Sequence, residues 1–164
     1  MTPLFYLWLM FVAFLMLLHA SYHDVRRRMV PDRVFFMWGG VGLTTILLSV
    51  LVGGFSFELR YILLSAAVTS SYAWAAYHLH VFGGADAKAL VTLALILPTY
   101  HGTAPQIHPF TALIVLGNAA VIALPILAAA ILTRRTNMRF PALPILTAGY
   151  LTMLFYGDLW TVLV

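Results

Sequence analysis

The chain contains five acidic residues and no cysteine. Any chemistry must therefore come from carboxylates, histidines, hydroxyl groups or the backbone. Two of the acids, Asp24 and Asp86, each adjoin an apolar stretch, where an ionisable group is costly unless it has a partner or a function. Two carboxylates brought together can share one proton, so that one deprotonates water while the other polarises a peptide carbonyl. Such a pair titrates as one coupled unit and is suited to peptide hydrolysis.

Structural roles are the alternative for these two acids. Asp24 is four residues before Arg28, a spacing that allows an ion pair on a helix, and Asp86 is placed to cap the N-terminus of a helix. The other acids are expected to be solvated or to lie at a membrane interface: Asp32, Glu58 and Asp158.

The composition is that of a membrane protein. Hydrophobic residues make up 63% of the chain and charged residues 9%, and the mean hydropathy is +0.97. A soluble domain is roughly 45–50% apolar and about 25% charged, so a soluble enzyme is excluded. With 164 residues and about 20 needed for each spanning helix, the chain has room for six spans and for no separate soluble domain. We expect one all-α, six-helix transmembrane domain over residues 1–164.

The distribution of basic residues predicts the orientation of the six helices. The apolar stretches fall at about residues 3–22, 34–53, 61–81, 87–100, 110–132 and 141–164. Every Lys and Arg except Arg60 lies in or directly beside an odd-numbered break between them. By the positive-inside rule these breaks are cytoplasmic, and both termini lie outside. Asp24 and Asp86 then lie at the same, cytoplasmic, face.

Histidines offer a second kind of chemistry. His19 and His23 are four residues apart, a spacing that places both imidazoles on one helix face, and His78 and His80 approach the same membrane edge. Together with the two acids they suggest a metal site for transport or metal-assisted hydrolysis as an alternative. The chain lacks the HExxH pattern, and the primary prediction includes no metal ligands and no cofactor.

Two segments resemble the conserved motifs of the type IV prepilin and preflagellin peptidases. SYHDVRRRMVPDR is similar to their first motif, an Asp followed by basic residues and a Pro-Asn or Pro-Asp step, and GGADAKAL is similar to their Gly-x-Gly-Asp motif. The resemblance implies that Asp24 and Asp86 are the catalytic pair. It places the motif glycine on Gly83, beside Gly84, and the motif lysine on Lys88.

A third segment, FPALPILTAG, is similar to the Pro-x-x-Pro opening of the last helix in that family, at Pro141 and Pro144. Ala85 replaces the second glycine of the bacterial pattern, which favours a short, archaeal-type member. The zinc-binding, cysteine-containing insertion of larger bacterial members is absent, so the resemblance implies peptidase activity without methyltransferase activity.

The resemblance implies an aspartic endopeptidase of the cytoplasmic membrane that removes short basic leader peptides. Its partners would be pilin-like or archaellin-like precursors and the lipid bilayer, with no nucleic acid, and cleavage would take place at the cytoplasmic face. The oligomeric state stays open. Arg26, Arg27 and Arg28 are expected to contact lipid phosphates near that face.

Two further expectations concern neighbouring features. Pro141–Leu143 resembles the PAL motif of presenilin-type intramembrane proteases, a second alternative, although in those the partner Asp follows Tyr whereas here it follows His23. Gly83 and Gly84 are expected to adopt backbone conformations closed to other residues, in a mobile turn that lets a substrate approach. Without substrate, the two aspartates are expected to stand too far apart to share a proton.

Overall fold

The computed structural model describes residues 3–53, 56–79, 82–99, 110–132 and 142–156, and its regular structure is helical. This confirms the all-α fold and the six helices. An isolated antiparallel bridge joins Thr99 to Phe110. The helices are α1 (Pro3–Arg27), α2 (Asp32–Gly53), α3 (Ser56–His78), α4 (Gly84–Ile96), α5 (Thr111–Leu132) and α6 (Ala142–Tyr156).

Three helices of the described part are long and apolar enough to cross a bilayer, as judged by length and composition. These spans are Phe5–Arg27, Asp32–Val52 and Thr111–Ala129. Helix α6 is apolar but has 15 residues, and α4 has 13. At about 1.5 Å per residue, α4 is roughly 20 Å long, less than the about 30 Å of a hydrocarbon core.

The connection between α1 and α2 is shorter than the sequence indicated, because α1 continues through Asp24 to Arg27. The helix ends where Arg28 adopts a left-handed conformation, with φ of 52°, and its N–H donates to the Asp24 carbonyl at 2.9 Å. Pro31 precedes the start of α2 and cannot extend α1. Asp24 therefore lies in the last turn of a helix, and its position is fixed by α1.

Helix α4 begins earlier than expected. The fourth apolar stretch was expected from about residue 87, with Gly83 and Gly84 in a turn, but the structure is helical from Gly84, with Gly83 as the N-cap. The helix ends at Ile96, two residues before Pro98, because the residue preceding a proline is disfavoured in helical conformation. Asp86 is thus the third residue of a helix rather than part of a loop.

Helix α4, the shortest of the described helices, occupies the centre of the bundle. Helix α4 contacts each of the other five helices, while α1 packs between α2 and α6, and α5 packs on α6. Most of the side chains from Ala89 to the end of α4 are buried in consequence: Ala89, Leu90, Thr92, Leu93, Ala94 and Ile96.

Glycines allow helices to approach closely at two contacts. A Cβ atom added to Gly42 of α2 would lie 2.5 Å from Cγ1 and 3.2 Å from Cα of Ile96 in α4. A Cβ added to Gly149 of α6 would lie 2.6 Å from the carbonyl oxygen of Val115 in α5. Small residues permit such contacts between helices inside a membrane, where packing drives association.

The Gly42 contact predicts a selective loss of stability. Gly42→Ala should lower the free energy of unfolding by about 1–3 kcal/mol, because the new methyl group overlaps Ile96. Gly40 lies in the same helix and has no atom within 4 Å of an added Cβ, so Gly40→Ala is the matched control. It should be neutral or stabilising by up to about 1 kcal/mol. Thermal unfolding of both variants in detergent tests this, and equal melting temperatures would contradict the packing.

Candidate active site

Asp24 lies at the end of α1, with one carboxylate oxygen enclosed by protein. Its Oδ2 atom is buried and has no hydrogen-bond partner among the described residues. Buried polar atoms are nearly always hydrogen-bonded in folded proteins, so an exception marks a position with a possible functional role. This oxygen is enclosed by the protein and has no polar partner within the described structure.

Asp86 lies in the first turn of α4 and is held by the backbone. The N–H of Gly83 donates to Asp86 Oδ2 at 3.0 Å. The helix-cap contact that was the structural alternative for Asp86 is therefore confirmed. Because Gly83 has no side chain, the reciprocal half of a capping box is missing. One oxygen of Asp86 is fixed by this bond.

The Asp86 carboxyl is affected by burial and by its neighbours. Asp86 lies outside the three candidate spans, just before the apolar stretch 87–100. Burial raises the pKa of its carboxyl above the usual range, the hydrogen bond from Gly83 opposes that shift, and the nearby charge of Asp24 adds to it. In the described structure no hydrogen bond joins the two carboxyl groups.

Lys88 forms an ion pair that sequence analysis missed. Its Nζ lies 2.6 Å from Asp32 Oδ1 and links the beginning of α4 to the beginning of α2. The signal available in the sequence was the opposite charge of the two residues on one predicted membrane face. Both side chains are more than half exposed, so the pair contributes at most about 1 kcal/mol to stability.

The expectation that Gly83 adopts a backbone conformation closed to other residues was wrong. Gly83 has φ of −73° and ψ of 160°, an extended conformation open to any residue. The restriction is instead one of space, because a Cβ added there would lie 3.1 Å from Asp86 Oδ2. At Gly84 the nearest atom, Tyr77 Cε2, is at an ordinary 3.7 Å. Gly83 leaves room for the carboxylate to fold back onto its own helix N-terminus.

The histidines pair with aromatic rings. The rings of His19 and His23 lie 5.0 Å apart, as their spacing indicated, and the Trp38 indole N–H donates to His19 Nδ1 at 3.1 Å. His78 packs edge-on against Trp74. In the described ranges, no three His, Cys, Asp or Glu side chains are grouped as a metal site. Three residues considered in the sequence lie outside the described residues: His80, Pro141 and Asp158.

Comparison with known proteins identifies the class. The model of the type IV leader peptidase family matches residues 11–157, and the protein belongs to that family. The family implies a peptidase, and the apolar helices fit a membrane protein. The match includes both acids, the glycine turn and the described part of α6. No curated protein and no solved structure matches the chain.

The crowding at Gly83 predicts a functional defect. Gly83→Ala should lower peptidase turnover by about tenfold or more, because the added methyl group displaces the Asp86 carboxylate and small misplacements of reacting groups are costly. Gly84→Ala should cause a clearly smaller loss. Peptidase assays and melting temperatures of the two variants test the difference. Equal turnover in both would show that the space beside Asp86 Oδ2 is unimportant.

The raised pKa of Asp86 predicts a pH-dependent stability. Its folded-state pKa lies above the unfolded value, so ionisation costs stability as the pH rises through the window between them. Asp86→Asn keeps an acceptor for the Gly83 N–H and does not ionise. The variant should melt higher than the unmodified protein at neutral pH, and the difference should close on acidification. Thermal unfolding in detergent measures it, and a lower melting temperature of the variant at neutral pH would contradict the assignment.

Proposed function

We propose that the protein is a membrane-embedded aspartic endopeptidase that removes short basic leader peptides from pilin-like or archaellin-like precursors. Asp24 and Asp86 form its catalytic pair. The observation that carries this proposal is the placement of the two acids at the ends of apolar helices, Asp24 in the last turn of α1 and Asp86 in the first turn of α4. One oxygen of Asp24 is buried without a partner among the described residues, and the charge of Asp24 contributes to the raised pKa of Asp86. The family match over residues 11–157 supports the substrate class.

The two carboxyl groups take different parts in hydrolysis. Asp86, whose pKa is raised, retains the shared proton and donates it to the scissile carbonyl oxygen. Asp24 takes a proton from water, whose oxygen adds to the carbonyl carbon. The tetrahedral intermediate then returns a proton to Asp86 while the C–N bond breaks, and the leaving amine receives the proton held by Asp24. One water is consumed, and both carboxyls return to their starting states.

The membrane presents the precursor to this pair. We propose that all six helices of the single domain, residues 1–164, lie in the cytoplasmic membrane with both termini outside, which puts the acids at the cytoplasmic surface. The apolar segment of a precursor then lies in the bilayer while its basic leader stays in the cytosol. The scissile bond between these two parts meets the acids at the membrane surface.

The basic residues at the end of α1 fit this orientation. Arg26 lies over the ring of Tyr22 and donates to its hydroxyl, and Arg27 is exposed beside it. Exposed arginines with a neighbouring tyrosine are suited to the headgroup region of an anionic membrane surface. Peptidase activity alone is proposed, without methyl transfer.

Removing either carboxylate should abolish cleavage. Asp24→Asn and Asp86→Asn each remove a proton-transfer group, so turnover should fall by at least about 10²-fold while the proteins remain folded. The assay follows leader removal from candidate precursors by the purified protein in detergent, with melting temperatures measured alongside.

Asp158→Asn is the control for loss of one negative charge. The orientation predicted from the sequence puts Asp158, near the C-terminus, at the outer face, opposite the two acids. This variant should retain activity. Cleavage should also survive chelators, because two carboxylates activate water without a metal. Full activity of Asp24→Asn or Asp86→Asn would contradict the pair, and loss in chelator with recovery on adding zinc would favour the histidine alternative.

A further inference from the structure

A buried pair of hydroxyl groups joins α1 to α6 close to Asp24. Ser21 Oγ and Thr147 Oγ1 lie 2.7 Å apart, and both residues are 8% exposed. Thr147 also lies 2.9 Å from the carbonyl of Leu143 and 3.3 Å from that of Leu17, both as donor. Because Thr147 has a single hydroxyl proton and gives it to a carbonyl, Ser21 is the donor between the two side chains.

This contact lies one helical turn from the candidate catalytic residue. Ser21 precedes Asp24 by three residues, about 4.5 Å along the helix axis. Thr147 lies in the segment FPALPILTAG, whose opening the sequence had singled out without assigning it a role. Helix α6, which contains neither Asp24 nor Asp86, therefore contacts α1 one turn before Asp24.

Side-chain hydrogen bonds hold both halves of α1, and they come from two neighbouring helices, α6 and α2. Toward α6, the Tyr150 hydroxyl donates to the Met10 carbonyl at 2.7 Å, far from the acids. Toward α2, the Trp38 indole N–H donates to His19, close to the acids. Together with Ser21, these contacts restrict rotation of α1 about its axis.

The direction of the Asp24 carboxyl depends on this restricted rotation of α1. Its Oδ2 has no hydrogen-bond partner among the described residues, so no bond at this oxygen fixes the direction of the group. Asp86, in contrast, is oriented by the N–H of Gly83. The direction of Asp24 follows from how its helix is held.

We propose that Ser21 and Thr147 are positioning residues that aim the Asp24 carboxyl at Asp86 by fixing the last turns of α1 against α6. This inference rests on the proposed function of the two acids. It assigns a role in catalysis to the opening of α6, through helix orientation rather than through contact with substrate.

The test separates loss of the hydroxyl contact from loss of stability. Thr147→Val keeps the shape of the side chain and removes the hydroxyl, and Ser21→Ala removes the donor. Each should lower kcat for precursor cleavage by about tenfold, equivalent to about 1.4 kcal/mol, with KM within about twofold. Thr147→Ser retains the hydroxyl and should recover most of the lost kcat. The double variant should be no worse than the poorer single variant, because both remove one interaction.

Thr152→Val is the matched control. Thr152 lies in the same helix and donates at 2.7 Å to the carbonyl of Ala148, within α6 itself. The same chemical change should leave kcat within about twofold. Ser21→Ala is the smaller change and keeps the test decisive if Thr147→Val does not fold.

Unchanged kcat in Ser21→Ala, or equal losses in Thr147→Val and Thr147→Ser, would overturn the inference. So would equal effects of Thr147→Val and Thr152→Val. Failure of the proposed function gives a different result, since Asp24→Asn or Asp86→Asn would then remain active. Inactive aspartate variants beside a fully active Thr147→Val would reject the positioning role alone.

Discussion

The architecture depends on enclosing a short helix within longer ones. Helix α4 has 13 residues and contacts all five other helices. A helix that ends inside the apolar region leaves backbone groups that lipid cannot satisfy, so its ends require cover from protein or water. Its central place provides that cover and keeps the Asp86 carboxyl partly out of solvent. The central place of α4 therefore accounts both for the packing of the bundle and for the partial burial of Asp86.

The two acids of the candidate site are held in different ways. Asp86 accepts a hydrogen bond from its own helix N-terminus, whereas Asp24 has a buried oxygen without a partner in the described structure. The cap contact and a catalytic role are compatible, because the cap occupies one oxygen and leaves the other available. The Asp86 carboxyl is thus held by a hydrogen bond from its own helix, whereas the position of Asp24 is set by α1. This difference in environment suits the proposed roles of the two residues, one as acid and one as base.

Three glycines are needed for space, and none of them for an unusual backbone conformation in the described structure. Gly42 lets α2 approach the backbone of α4, and Gly149 lets α6 approach α5. Gly83 makes room for a carboxylate. The first two serve helix association in an apolar environment, where close packing replaces the hydrophobic effect as the driving force. The third serves the geometry of the site.

The sequence by itself determined the number and order of the helices and the two acids that adjoin their ends, because apolar length, proline positions and short motifs are local properties. It did not give the start of α4 or the reason for Gly83, since both depend on a hydrogen bond to Asp86. Only the tertiary structure decided that α4 is central, that Lys88 meets Asp32 and that Ser21 meets Thr147, contacts between residues 56 and 126 positions apart. In a chain this apolar, side chains that face lipid and side chains that face protein have similar hydropathy. The helix neighbours are therefore set by shape and by a few polar contacts that the pattern of apolar residues does not record.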